Sequence, residues 1–392
     1  MGDIKTHHFF ASCPNGLESV LATEIKNLGG ISIKECNSGV KFQGSWHTCY
    51  LTNLKSRIAS RILWQITKRT YVNENDIYNI SYDLPWNKWI SSTQTIRVNV
   101  AAKRCTLRSL KFITLKIKDA VCDKFRQLEN KRPNVNTINP DIRIHGFLSE
   151  YEFTLYLDTS GNALFKRFLR RTTGIAPLKE NLAAGILQLS GWEPGIPLLD
   201  PMCGSGIFLI EAVQIALNIA PGIKRNFAFE KFKKFDKVLW SKIREESISQ
   251  QKEKLKQQIY GSDLYGNALS HARINLEIAG LSDLVILKQG NVLEIPSPAP
   301  SGILISNLPY GKRVGCQNEL AEFYPKLGHA LKKKFSGWHA YFLTGDALLQ
   351  KSIRLAASRR IPLYNGAIEC RLLEYKIVSG EMRKIKECAT NN

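Results

Sequence analysis

The stretch Leu198 to Ala212, LLDPMCGSGIFLIEA, constrains this chain more than any other. An apolar run ends in Asp200, where a buried parallel strand would stop. Gly204 and Gly206 then allow a sharp turn and leave no Cβ in the way of a ligand. The helix that follows aims its first N–H groups back at the same point. An acid at a strand end beside Gly-x-Gly is how many α/β proteins hold a nucleoside-bearing cofactor. A dinucleotide fingerprint would need a third glycine, and that position is Leu209. A triphosphate loop would need Lys-Ser or Lys-Thr after the turn, and neither is present. The bland alternative is a tight strand-to-helix turn with no ligand.

Downstream, strand and helix candidates alternate, which predicts a parallel sheet covered on both faces. Strands are expected at Ile196–Asp200, Ile259–Asp263, Leu284–Leu287, Ile303–Asn307 and Trp338–Thr344. Two more, Ile361–Tyr364 and Ile368–Ile377, flank Asn365-Gly366, the strongest short hairpin signal. A polar helix over Val238–Leu255, after a basic and aromatic stretch, reads as a surface insertion. Asp263 ends the second strand, and Asn307-Leu308-Pro309-Tyr310-Gly311 follows the fourth. Taken alone, N-L-P-Y-G could be only a strand-end turn.

Upstream of residue 196 the chain alternates short strands and helices in an α+β pattern. A strand at His8–Ser12, a helix over Leu17–Leu28, paired strands at Ile31–Cys36 and Val40–Gln43 and a helix at Asn53–Trp64 are expected. Further strands are expected at Ile96–Val100, Ile142–Phe147 and Glu152–Asp158, with a helix through Val121 and Phe125. Lys and Arg number 55 against 34 Asp and Glu, a formal charge of +21. Between Arg97 and Arg132 alone there are 11 Lys/Arg and 3 Asp/Glu, an excess of 8, over a third of the whole imbalance. Such an excess points to a polyanion, nucleic acid first. A solvated helix face is the competing reading of the same stretch, and Lys166, Arg167, Arg170 and Arg171 are expected to close the basic region.

The nine cysteines contain no C-x-x-C, so neither a disulfide framework nor a zinc ribbon is expected. No signal peptide and no membrane span are visible, and a cytoplasmic, reduced setting is expected. No metal is expected, and oligomeric state is not readable.

Five strings carry a family resemblance. D-P-M-C-G-S-G resembles the first motif of class I S-adenosylmethionine (SAM) methyltransferases, and N-L-P-Y matches the [N/D]-P-P-[Y/F] signature of amino-group methyltransferases, with Leu308 for the first Pro. K-R-x-x-L-x-S-L-K, with T-L-Y-L-D-x-S-G-x-x-L-F-K-R-F-L-R-R, resembles the THUMP domain and its ferredoxin-like partner. A-P-L-K-E-N-L-A-A resembles the segment that folds over the cofactor in THUMP-containing guanine-N2 RNA methyltransferases, especially those of 23S ribosomal RNA. The resemblance covers about residues 6 to 378.

It implies an N-terminal ferredoxin-like domain (1–64), a THUMP RNA-binding domain (65–170), a linker with a cofactor-covering helix (171–195), a Rossmann-like seven-stranded methyltransferase domain ending in an antiparallel hairpin (196–380), and a tail (381–392). Relatives sometimes carry a second methyltransferase domain, which this chain is expected to lack. The implied cofactor contacts are Asp200, Met202, Cys203, Gly204, Ser205, Gly206, Asp263, Leu264, Asn291, Pro177 and Leu178. Asn291 stands where the family usually has an acid. The implied catalytic corner is Asn307, Leu308, Pro309 and Tyr310, with neither metal nor covalent nucleophile; Cys203 and Cys316 are not read as nucleophiles. RNA contact is expected at Arg97, Lys103, Arg104, Arg108 and Lys111. The implied activity is methyl transfer from SAM to the exocyclic N2 amine of a guanine in RNA, 23S rRNA foremost. Guanine-N2 transfer to tRNA, adenine-N6 transfer to DNA and a catalytically silent RNA-binding factor are the alternatives.

Overall fold

The computed structural model describes residues 6–167, 178–308, 317–346 and 349–378. Two seven-stranded sheets organise it. The first is built from β1 (His7–Ser12), β2 (Ile31–Cys36), β3 (Gly39–Gly44), β4 (Arg61–Thr70), β5 (Ile96–Ala102), β6 (Ile142–Leu148) and β7 (Glu152–Asp158), in the order β2-β3-β1-β4-β7-β6-β5. Helices α1 (Glu18–Asn27), α2 (Trp46–Lys55), α3 (Glu74–Tyr82) and α4 (Leu110–Glu129) accompany it.

β4 is the seam of this half. It pairs with β1 on one side and with β7 on the other, so the expected boundary at 64/65 falls inside a strand. The expected helix over Asn53–Trp64 is also corrected: α2 occupies Trp46–Lys55, and residues from Arg61 onward are strand. Ser45 caps α2, its side chain accepting from the Thr48 N–H, and Ser56 is already extended. Ile62 and Leu63 are buried where they cross the sheet's centre, a tertiary demand that helical spacing does not reveal.

α5 (Glu180–Leu189) leads into the second sheet. Its strands are β8 (Leu198–Asp200), β9 (Ile259–Asp263), β10 (Val285–Gln289), β11 (Gly302–Asn307), β12 (Trp338–Thr344), β13 (Arg359–Asn365) and β14 (Ile368–Lys376). Its helices are α6 (Ile207–Ala216), α7 (Lys237–Ser249), α8 (Gly266–Ala279), α9 (Gln317–Lys334) and α10 (Leu349–Ser352). The order is β10-β9-β8-β11-β12-β14-β13, parallel from β10 to β12 and antiparallel through the final hairpin. Strand order therefore reverses between β8 and β11, the switch point at which open α/β sheets bind ligands.

The halves are joined by buried charge. Arg57 donates to Gln214 O (3.1 Å) and Ile219 O (2.6 Å) at the carboxyl end of α6, where a cation meets exposed carbonyls. Glu24 accepts from the Ser56 hydroxyl and the Arg57 N–H. Arg167, expected to close the basic region, is buried instead: it pairs with Glu211 of α6 and donates to Arg57 O at 2.8 Å. α7 is likewise no free insertion. Trp240 and Ile243 are buried, and Trp240 packs edge-on to Tyr50 of α2. Among the described residues, no helix is long and apolar enough to cross a membrane.

Candidate active site

The ends of β8, β9 and β11 meet at one edge of the second sheet, and three hydrogen bonds knit them together. The Cys203 N–H donates to Ser262 O (2.9 Å), and the Gly204 N–H donates to Asp263 Oδ2 (2.9 Å). From the other side, Ser306 Oγ donates to Asp200 Oδ1 (2.8 Å). The glycine elbow and the Asn307 corner thus follow adjacent parallel strands, β8 and β11, at the same end of the sheet.

The elbow follows from its two glycines. Gly204 and Gly206 have φ of 52° and 79°, the left-handed region. At Gly204 a Cβ would project into open space, with no atom within 4 Å. At Gly206 it would lie 3.3 Å from the Ala272 Cβ, so this glycine brings α6 close to α8. Ser205 is half-buried, and its carbonyl accepts from the Asn275 amide at 3.0 Å. Met202 is half-buried; its N–H donates to Asp200 Oδ1 (3.3 Å). Cys203 is buried, and burial, with Asp200 and Asp263 nearby, pushes its thiol well up, which fits the expectation that it is no nucleophile.

Asp200 is buried, and loss of solvation, aided by the charge of Asp263, raises its carboxyl to about 7 against the hydrogen bonds from Ser306 and Met202. Asp263 gives one oxygen to Gly204 N–H and the other to Tyr265 N–H (3.0 Å), and each carboxylate oxygen keeps room for a second donor. Leu264 and Tyr265 beside it are exposed. Asn291 lies close by, since the Gly290 N–H donates to Asp263 O, but its Oδ1 accepts from the Leu293 N–H at 3.0 Å and so caps a turn. Leu178 is buried at the start of the segment leading into α5.

At the corner, Asn307 Oδ1 is a buried oxygen with no hydrogen-bond partner among the described residues. A buried acceptor left unpaired costs free energy unless a ligand donor satisfies it. Leu308 is fully buried, and its N–H donates to Leu343 O of β12 (3.0 Å). A proline there would lack that donor, which accounts for leucine in the motif. Pro309, Tyr310, Pro177 and Cys316 lie outside the described residues. Ser306, the bridge, carried no signal in the sequence beyond preceding Asn307. A group of three or more His, Cys, Asp or Glu suited to a metal does not occur among the described residues.

The basic surface belongs to the first half. Lys103, Arg104, Arg108 and Lys111 are all exposed around the N-terminus of α4, whose first N–H groups also favour anions. Arg104 sits at φ 56°, turning the loop outward. The Lys103 N–H donates to Leu148 O, which sets this loop beside the β6–β7 turn, where Phe147 and Tyr151 are exposed. Arg97 stands apart: its guanidinium donates to Asn99 Oδ1 and Thr137 O.

Residues 167–374 match the family model of the RMKL-like methyltransferase domain. This chain belongs to the RMKL-like methyltransferase family. Ahead of that domain, residues 8–63 match the RlmL ferredoxin-like domain and residues 71–158 the THUMP domain. The ribosomal RNA large subunit methyltransferase K/L of Aeromonas hydrophila is 38% identical over 401 residues, covering 97% of this chain and 56% of that protein. The chain spans about half the length of the curated relatives it matches. Among solved structures, SMU.472, a methyltransferase complexed with SAH, has a TM-score of 0.87 at 30% identity, covering 97% of this chain and 100% of that one. An N6-adenine-specific DNA methylase from Listeria monocytogenes, so described by prediction, has a TM-score of 0.85 at 27% identity, covering 95% and 96%. The RMKL-like family thus accounts for the parallel sheet, its closing hairpin and the elbow at its switch point.

Proposed function

We propose that this RMKL-like protein transfers a methyl group from SAM to the exocyclic N2 amine of a guanine in RNA, 23S rRNA foremost. The observation that carries the reading is the junction of β8 with β11. Ser306 binds Asp200 of the elbow at 2.8 Å, and one residue on stands Asn307 Oδ1, without a hydrogen-bond partner among the described residues. The open space beside Gly204 and that orphaned acceptor both fit a cofactor and an amine in one cleft.

The bound cofactor supplies an electrophilic methyl group on a sulfonium. Residues 202–206 would hold its amino-acid end, and the Asp263 side chain would accept from the ribose hydroxyls. Leu264, Asn291 and the 177–178 segment line the adenosine side. An exocyclic amine is a poor nucleophile because its lone pair is delocalised into the ring. Asn307 Oδ1 and the carbonyl of Leu308 accept its two N–H bonds, turning the lone pair toward the methyl group. Orientation of this kind recovers several kcal/mol of barrier, roughly 7–11 at best. Pro309 stiffens the corner, and Tyr310 stacks on the extruded base, a contact worth roughly 1–3 kcal/mol. Lys103, Arg104, Arg108 and Lys111 grip phosphates, with Arg97 of β5 adding a further cation; such contacts give salt-dependent affinity with little base selectivity. The names of the curated relatives favour ribosomal RNA over tRNA, and a cytoplasmic setting goes with that substrate.

Transfer of labelled methyl groups to separated rRNA and tRNA, followed by nucleoside identification, tests the reading. Label in N2-methylguanosine of 23S rRNA is expected. A second reading, adenine-N6 transfer to DNA, is favoured by the description of the Listeria neighbour. N6-methyladenine as the labelled product would replace the first reading with this one.

A further inference from the structure

The segment Phe227-Ala-Phe-Glu-Lys-Phe-Lys-Lys-Phe235 is not used by the site above. It alternates aromatic rings with lysines. The rings of Phe229, Phe232 and Phe235 close one side of a hollow where the ferredoxin-like, THUMP and methyltransferase domains meet. Tyr50, Phe229 and Phe232 form the buried floor, while Trp46, Trp64 and Trp89 are only partly covered. The remaining four of the seven tryptophans, at 86, 192, 240 and 338, are all buried.

Trp64 is met steeply by its neighbours: Trp46 at 5.1 Å and 69°, Trp89 at 5.4 Å and 73°, and His7 at 5.7 Å and 90°. These rings form a box that offers one face and several edges to a flat guest, the arrangement aromatic systems prefer. An aromatic box can also hold an organic cation. Here no carboxylate lines it, and the exposed Lys234 stands at its rim with Lys233 next to it, so a positive guest is disfavoured. The backbone N–H of Lys233 donates to Trp89 O, which fixes the lysines at the mouth. An aromatic ring tied to a negative charge suits both features.

The pairing pattern gives the hollow its context. β1 runs antiparallel to β4, and β4 runs in the same direction as β5 and β6, so the start of β1 at His7 lies at the sheet edge where β5 delivers Lys103.

We propose that this hollow receives an unpaired base of the RNA substrate, with Lys233 and Lys234 holding its phosphate. The proposal rests on the RNA reading above and adds a second, non-catalytic contact to it. The test titrates the full chain with a single-stranded uridine tetranucleotide, following tryptophan fluorescence. An abasic tetranucleotide of equal charge and tetramethylammonium serve as controls. Saturable quenching by the uridine oligomer alone is expected. Trp89→Leu should weaken it about tenfold, and Lys234→Glu, at an exposed position, should weaken it without disturbing the fold. Both variants should raise KM for RNA and leave kcat near that of the parent.

Equal binding of the abasic oligomer, tighter binding of tetramethylammonium, or unchanged quenching in Lys234→Glu would overturn the proposal. The two readings separate cleanly. RNA methylation without quenching removes the hollow and leaves the activity, whereas quenching without RNA methylation keeps the hollow and removes the activity.

Discussion

In the first sheet five of six strand pairings are antiparallel; in the second, four of six are parallel. The difference decides where each half can act. Antiparallel neighbours send their connections to both edges, so the first half offers a surface, the basic loop at 103–111. Parallel neighbours send every strand-to-helix connection to one edge. The second half therefore brings the ends of β8, β9 and β11, with residues 200–204, 262–263 and 306, together at one edge of its sheet. A surface suits a long polyanion, and a cleft suits a cofactor and a single base.

If that division holds, variants in the two halves should fail in different measurements. Asn307→Ala should cut methyl transfer by about 100-fold or more, since misplacing a reacting group costs that much. RNA and SAM affinities should stay within about twofold. A single-turnover assay with labelled SAM reads the first, and calorimetry the others. An equal loss of RNA binding would break the comparison.

Replacing Arg104, Arg108 and Lys111 together by Ala should do the reverse. The slope of log affinity against log salt should become shallower by about 2, at roughly 0.7–0.9 for each phosphate no longer neutralised. SAM binding should not change.

Gly204→Ala should weaken SAM about tenfold, because its Cβ enters the open space at the elbow. The left-handed backbone adds strain of roughly 1–2 kcal/mol. Calorimetric SAM affinity and Tm together separate the two effects.

The smallest effect is in stability. Asp200 has its carboxyl raised to about 7 in the folded state. The folded form thus holds a proton that the unfolded form gives up near the ordinary carboxylate range. Its contribution is fully present below about pH 4 and is lost as pH rises toward 7. Asp200→Asn should remove this part of the slope, a change of a few degrees in Tm across that window. An identical pH profile in both proteins would show that Asp200 is ionised throughout.

Much of the second half could be read from sequence because its signals are local. A strand, two glycines and a helix fall within fifteen residues, and Asn365-Gly366 announces the hairpin. Asn307 could be singled out because its neighbours in the chain define it. What escaped depends on distant partners. Residues 61–64 pair with β1 and so became strand rather than helix. Arg167 counted as one more surface cation until Glu211 and the carbonyl of Arg57 came beside it. α7 looked polar enough for solvent, yet Trp240 and Ile243 turn its inner face onto α2. Leucine at 308 read as a departure from a motif, whereas its N–H serves the neighbouring strand.

The seam at β4 has one more implication. Because that strand belongs to both N-terminal domains, and Arg57 just ahead of it clasps α6, the gripping surface cannot swing freely against the cleft. The distance between the two is then built in. An enzyme made this way would choose its nucleotide as a caliper does, by how far along the RNA the target lies from the place where it is held.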